Sequence, residues 1–260
     1  MLETTLHDNN KINKVLSIKY RSLLRKIKKY NPQAKLDRIS TAFRFGRKAH
    51  DGQLRDSGDP YFIHPISVAS LLAEIKVDAD TIITALLHDT VEDCGVSLNE
   101  IDNIFGKDVR KLVNGVTKLT KLQLQSIDSQ QAENFRKLLI SMGEDIRVML
   151  IKLADRVHNI QTLEFIKNKE RKEKIATETI EIYAPLAEKM GITKFQNELE
   201  DKSFAVLQPE MRLSILNRLI FLEEESENII FNITKKIRNV LNKENIECKV
   251  FGRLKSPYSI

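Results

Sequence analysis

Apolar residues recur three and four positions apart through most of this 260-residue chain, and that spacing fits helices that each bury one stripe of side chains. Strand-rich alternatives need frequent turn formers and aromatics. The chain has only 9 Gly and 6 Pro, no Trp, and aromatic residues at 6%. This argues against a sandwich, barrel or propeller and favours helices, and the expected fold class is all-α.

The pattern divides the chain. Ile12, Val15, Leu16, Tyr20, Leu23, Leu24 and Ile27 form the apolar face of a basic helix that runs to the break at Asn31-Pro32. A second helix is expected over residues 36–50. Residues 51–60 (DGQLRDSGDP) are the densest cluster of turn formers and must be a loop. Helices are then expected over 65–75, 79–91, and from Ser97, where Glu100 completes a capping box. Residues 118–132, rich in Lys, Gln and Ser, read as a loop; helices follow over 133–141 and 145–166, joined at Gly143. The charge run at 167–174 opens a helix leading to Leu186, and a long amphipathic helix spans 211–242 with Leu213, Leu216, Leu219, Ile220, Ile229, Ile230 and Ile233 apolar. Residues 247–251 (ECKVF) alternate and read as a strand that begins another element.

Charge and cysteine usage narrow the setting. Lys and Arg number 42 against 36 Asp and Glu, a formal charge of +6, which suits an anionic partner but is too diffuse for a nucleic-acid surface. Cys94 and Cys248 form no CxxC pair or Cys/His cluster, so neither a structural zinc nor a disulfide framework is expected. Residues 1–13 are polar, without the apolar core of a signal peptide, and no apolar run is long enough to cross a bilayer. The expected compartment is the cytoplasm.

The chemistry is concentrated where two apolar helical segments run into acids. Ile82, Ile83, Ala85, Leu86 and Leu87 lead directly into His88, Asp89, Glu92 and Asp93; helical spacing sets His88 beside Glu92 and Asp89 beside Asp93. Val148, Met149, Leu150, Ile151, Leu153 and Ala154 precede Asp155, with His158 and Asn159 one turn on. Carboxylates at the ends of buried helices are unfavourable without compensation, and a divalent metal would supply it. Imidazole and carboxylate without thiolate suit manganese, iron or zinc better than calcium. His64 stands just ahead of the helix-starting Pro65. Taken singly, a His-Asp dipeptide or a His before Pro is an ordinary cap or packed ring. His50, with no acidic cluster after it, reads as structural.

The order His64, His88-Asp89, Asp155 resembles the ligand order of the HD superfamily of phosphohydrolases. The stretches GQLRDSGDPYFIHPISVA, LLHDTVED, FRKLLISMGEDIRVMLIKLADRVHN and IYAPLAEKMGI resemble the hydrolase domain of RelA/SpoT-type proteins, which make and destroy the alarmone (p)ppGpp. The resemblance runs from about Phe43 to the end of the sequence. It implies an N-terminal helix at 1–30, a helical hydrolase domain at 31–200, a helical linker at 201–245, and the truncated start of a synthetase domain at 246–260.

For the site, the resemblance implies His64, His88, Asp89 and Asp155 as ligands of one Mn2+ ion. Glu92 and Asp93 would position and deprotonate the attacking water, and Arg55, Ser57, Asn159 and Thr162 would line the nucleotide pocket. The implied reaction is hydrolysis of (p)ppGpp to GDP or GTP and pyrophosphate. Asp56 departs from the Lys common in hydrolase-competent relatives, and Ile160-Gln161 replaces a frequent Met-Arg. Phe251–Ile260 (FGRLKSPYSI) resembles the opening of the synthetase domain, with Arg253 and Lys255 matching ATP-contacting positions, so no synthetase activity is expected of this sequence. The rival reading is a catalytically weak alarmone-binding module that pairs with a separate synthetase fragment.

Overall fold

The computed structural model describes residues 2–125, 145–250 and 256–260, with side chains over 13–119, 145–222, 231–250 and 256–260. Those residues form helices and connecting turns, and no strand occurs among them. They fall into two compact units, Met1–Lys169 and Glu170–Ile260. Among them no helix is long and apolar enough to cross a membrane.

The first unit is organised around a helix that is buried on every side. In order it contains α1 (Leu2–Tyr30), α2 (Leu36–Ala49), α3 (Ile63–Glu74), α4 (Ala79–Leu87), the single turn α5 (Thr90–Asp93), α6 (Leu98–Phe105), α7 (Lys107–Gln125) and α8 (Ile146–Gln161). From Thr81 to Leu87 every residue of α4 is buried, as expected for a helix apolar all round. It packs against α2, α3, α7 and α8. Its two threonines enter the core because their hydroxyls are satisfied: Thr81 donates to the Asp78 carboxylate at 2.9 Å, and Thr84 to the Asp80 carbonyl at 2.7 Å. Asp78 also caps the helix, accepting from the Thr81 amide.

Close approach of α2 to α4 depends on Gly46. A Cβ there would lie 2.6 Å from the Leu86 carbonyl oxygen and 2.6 Å from the Phe62 ring. Only a residue without a side chain fits that crossing.

The second unit holds α9 (Lys169–Glu178), a π-turn at Thr179–Tyr183, α10 (Ala184–Lys189), α11 (Thr193–Leu207) and α12 (Pro209–Lys243). Arg212 pairs with Asp201 at 2.8 Å, tying the start of α12 to α11, and Phe204 meets Tyr258 edge to face. On α12, Leu213, Ile220 and Ile233 are exposed.

Four sequence expectations need correction. The helix expected over 79–91 ends at Leu87, because side chains take over its last carbonyls: the His88 ring lies 2.9 Å from the Ala85 oxygen, and Thr90 donates to the Leu87 oxygen at 2.7 Å. The loop expected from residue 118 is helical as far as Gln125, since a Lys- and Gln-rich stretch has good helix propensity once an apolar helix leads into it. The rest of that loop, the helix at 133–141 and Gly143 lie outside the described residues. The helix expected over 145–166 stops at Gln161, where the Thr162 hydroxyl turns back to the carbonyls of His158 and Asn159. Residues 247–250 form no strand, because the described residues offer no neighbouring strand to complete a ladder. Phe251, with Arg253 and Lys255, lies outside them.

Candidate metal centre

The loop and start of α3, the break after α4 and the middle of α8 converge inside the first unit. The loop before α3 is a tight structure: Leu54 and Pro60 form an antiparallel bridge, the Tyr61 amide donates to the Gln53 carbonyl at 2.9 Å, and the Gly58 amide donates to the Arg55 carbonyl at 2.9 Å. Gly58 closes this turn at φ 83°, a conformation that favours glycine. The loop delivers Arg55, Tyr61 and His64 to one side of the site. The break after α4 delivers His88 and Asp89, and α8 delivers Lys152, Asp155, His158 and Asn159.

His64, His88 and Asp155 are buried, and each offers a ligand atom within 4.8 Å of the other two. Asp89 joins them, with Oδ1 3.1 Å from His88 Nε2 and Oδ2 3.7 Å from His64 Nε2. His64 Nε2 is also 3.2 Å from Asp155 Oδ1. Of the four residues that the resemblance implied as ligands, His64, His88 and Asp155 converge on one point and Asp89 stands beside the two histidines.

The donor chemistry of this cluster fits a cation. His88 Nδ1 faces the Ala85 carbonyl, which can only accept, so the ring carries a proton there, and its neutral tautomer presents a bare Nε2. That buried Nε2 makes no hydrogen bond, although a carboxylate oxygen stands beside it. A lone pair facing a carboxylate is unfavourable, and a positive ion between them would relieve it.

Further side chains hold the cluster in place. Asp155 Oδ2 accepts from Lys152 Nζ at 2.9 Å, and Oδ1 from Asn159 Nδ2 at 2.7 Å. Burial alone would raise the Asp155 carboxyl, but the Lys152 ammonium beside it leads the opposing effects and holds the group well below the usual carboxylate range. The His64 imidazole is driven down, its burial outweighing the nearby carboxylates. Tyr61 Oη lies 2.9 Å from Asp89 Oδ2 and 3.0 Å from Asp93 Oδ2, so one hydroxyl spans both acids. Burial and those two carboxylates push its ionisation upward. The Tyr61 ring in turn stacks on buried His50 at 4.7 Å, and His50 Nδ1 sits 2.7 Å from Gln53 Oε1.

Of the other sequence-derived positions, Arg55 donates to Asn159 Oδ1 at 3.2 Å, joining loop and α8 across the mouth of the site. Asp93 reaches the cluster through Tyr61, and Glu92 is half-buried on α5. The hydroxyls of Ser57 and Thr162 are engaged locally, Ser57 with the Asp59 carboxylate at 2.9 Å and Thr162 with two carbonyls of its own helix. Sequence reasoning gave no role to Tyr61 or Lys152, and none to His158 beyond its place one turn after Asp155. The signal for Lys152 and Asn159 was their i, i+3 and i, i+4 spacing from Asp155.

A helical unit in which two buried histidines and a buried aspartate converge, with a second aspartate beside them, is a helical domain with a candidate metal site. The chain belongs to the HD-domain family, whose model matches residues 42–193. It is 44% identical over 237 residues to a GTP pyrophosphokinase of Myxococcus xanthus, covering 90% of this chain and 31% of that protein. It is 42% identical over 241 residues to the bifunctional (p)ppGpp synthase/hydrolase SpoT of Escherichia coli, covering 93% and 34%. The chain thus spans about a third of the length of these curated relatives. A solved structure described as a metazoan ortholog of SpoT that hydrolyzes ppGpp aligns with a TM-score of 0.51 and 24% identity, over 64% of this chain and 93% of that one. That likeness bears out the helical HD fold.

Proposed function

We propose that this chain hydrolyses (p)ppGpp at its 3'-pyrophosphate, releasing pyrophosphate and GDP or GTP, with Mn2+ as the metal. The observation that carries the proposal is the convergence of His64, His88 and Asp155, with Asp89 beside them, around the orphaned His88 Nε2, in a chain similar to RelA/SpoT enzymes over nine-tenths of its length. His64, His88, Asp89 and Asp155 would hold the ion. When bound, it would lower the pKa of a coordinated water and neutralise charge on the pyrophosphate.

The protein's own residues do the rest. Glu92 and Asp93 orient the water and take its proton, with Tyr61 fixing Asp93 relative to Asp89. Water oxygen forms a new bond to the phosphorus attached to the ribose 3'-oxygen; that P–O bond breaks, and the 3'-oxygen leaves as a hydroxyl after protonation. Arg55 supplies a planar, permanent cation for the pyrophosphate oxygens, and Asn159 steers the guanidinium. Ser57 and Thr162 border the nucleotide. In the cytoplasm, a synthetase in the same polypeptide or in a separate fragment would supply the substrate.

The test is pyrophosphate release from (p)ppGpp by purified protein, stopped by chelator and restored by Mn2+. Plain GTP and GMP serve as comparison substrates. Equal turnover of those nucleotides, or an undiminished rate for Asp155→Ala, would overturn the assignment.

A further inference from the structure

Two buried histidines meet nitrogen to nitrogen behind the metal centre. His64 Nδ1 lies 2.8 Å from His158 Nδ1, and both rings are buried, 2% and 8% exposed. A contact that short requires one proton between the two nitrogens, because two bare nitrogens or two N–H groups would repel. The direction of that one hydrogen bond decides what the other edge of His64 presents to the site.

If His158 donated, His64 would carry its proton on Nε2, aimed at Asp155 Oδ1 3.2 Å away. The site would then be closed to a cation on that side. If His64 donates, its Nε2 is bare and stands with the bare Nε2 of His88. Asp155 does not need the His64 proton: Oδ1 already accepts from Asn159 and Oδ2 from Lys152. The His88 ring, fixed by the Ala85 carbonyl, shows which way the whole cluster is set.

We propose that His158 is a positioning residue whose Nδ1 accepts the Nδ1–H of His64 and thereby keeps the His64 Nε2 lone pair directed at the metal centre. The inference rests on the cluster being a metal site. His158 is suited to the part because polar groups stand among its other neighbours: it lines a cavity of about 320 Å3 in which Lys19, Ser22, Ser67, Ser70 and Gln161 accompany the apolar Ile66 and Leu71. The proton of its own ring therefore has a polar environment. Partners of this kind orient a ligating histidine and select its tautomer.

Titration of Mn2+ into the metal-stripped full chain, followed by calorimetry, gives the first readout. Loss of the acceptor in His158→Leu is expected to weaken Mn2+ binding about 10- to 100-fold, whereas His158→Asn, whose carbonyl oxygen can replace Nδ1, stays within about threefold of the wild type. Ring-nitrogen NMR of the metal-stripped, 15N-histidine-labelled wild type gives the second: His64 should carry its proton on Nδ1. Wild-type affinity in His158→Leu, a large loss in His158→Asn, or a proton on His64 Nε2 overturns the proposal. Failure of the wild type itself to bind Mn2+ overturns the metal reading, a distinct outcome. If His158→Leu does not fold, His158→Asn and the wild-type tautomer still decide.

Discussion

Lys152 Nζ stands 2.9 Å from Asp155 Oδ2, with both side chains more than nine-tenths buried. The ammonium compensates a carboxylate that must stay ionised in the core, so the pair serves both stability and the metal centre. Replacing Asp155 by Ala removes the carboxylate that this buried cation faces and is expected to cost about 3 kcal/mol of stability. Adding Lys152→Met should recover much of that loss without restoring metal binding. Urea unfolding of the wild type, the single variant and the double variant, alongside Mn2+ titration, checks both halves. A single variant as stable as the wild type contradicts the first.

Tyr61 Oη bridges Asp89 and Asp93, linking a proposed metal ligand to a proposed water-positioning acid. Tyr61→Phe keeps the ring stacked on His50 and deletes only that bridge. The expected result is a fall in kcat of about tenfold or more with KM little changed, and a stability loss of only about 1 kcal/mol. Steady-state kinetics with (p)ppGpp separate these terms. An unchanged kcat would show that the acids hold their positions without the phenol.

His88-Asp89 and Asp155 stood out in the sequence because each follows an apolar helical stretch, whereas His64, marked only by the Pro65 after it, was joined to them by the family resemblance. The all-α class was legible for a related reason: apolar spacing near 3.6 persists where turn formers are rare. The break at His88-Asp89 was not, because it depends on side chains capping the Ala85 and Leu87 carbonyls, which apolar periodicity does not encode. Tyr61 was hidden for a different reason. It lies 28 and 32 positions from the acids it joins, and only the folded loop reveals the bridge. The strand expected near residue 247 failed because alternation describes a strand's faces and says nothing of its partner.

The His158 imidazole should make the metal-free protein acid-sensitive. Its burial, with the charges of His64 and Arg55, pushes its pKa down to about 3; Asp155 opposes this, and Lys19 adds to it slightly. An unfolded chain binds this proton below about pH 6.5, whereas the folded chain does not until about pH 3. Its contribution is therefore complete above pH 6.5 and is lost as pH falls through that window. The slope is about 1.4 kcal/mol per pH unit for this group, and His64, also lowered, acts in the same direction. Unfolding free energies between pH 6 and pH 4.5, in chelator, should fall less steeply for His158→Asn than for the wild type. Parallel slopes would assign the acid sensitivity elsewhere.

Gly46 tests how the core positions the centre. A methyl group there meets the Leu86 carbonyl oxygen at 2.6 Å, and that backbone belongs to the helix ending at His88. Gly46→Ala gains helix propensity of about 1 kcal/mol. The clash should cost more than it gains, giving a net loss of about 1–2 kcal/mol by thermal or urea unfolding. A more stable variant would mean that α2 can move away from α4 freely.

Asp56 is the departure most exposed to experiment. It follows Arg55 in the loop, it is exposed, and its charge opposes the guanidinium that would meet the pyrophosphate. A unit charge near a highly anionic substrate acts through solvent, so its effect is modest and screened by salt. Asp56→Lys changes the local charge by two units and is expected to lower KM for (p)ppGpp about 3- to 10-fold at low ionic strength, with the gain shrinking as salt is added. The value of kcat should change little, because position 56 lies outside the ligand cluster and the acids that handle the water. If KM stays constant while kcat rises, the loop acts on the chemical step and not on substrate capture. If neither changes and the wild type binds (p)ppGpp tightly without turning it over, the chain is a binding module, and the acids beside its metal centre serve to hold an ion and not to activate water.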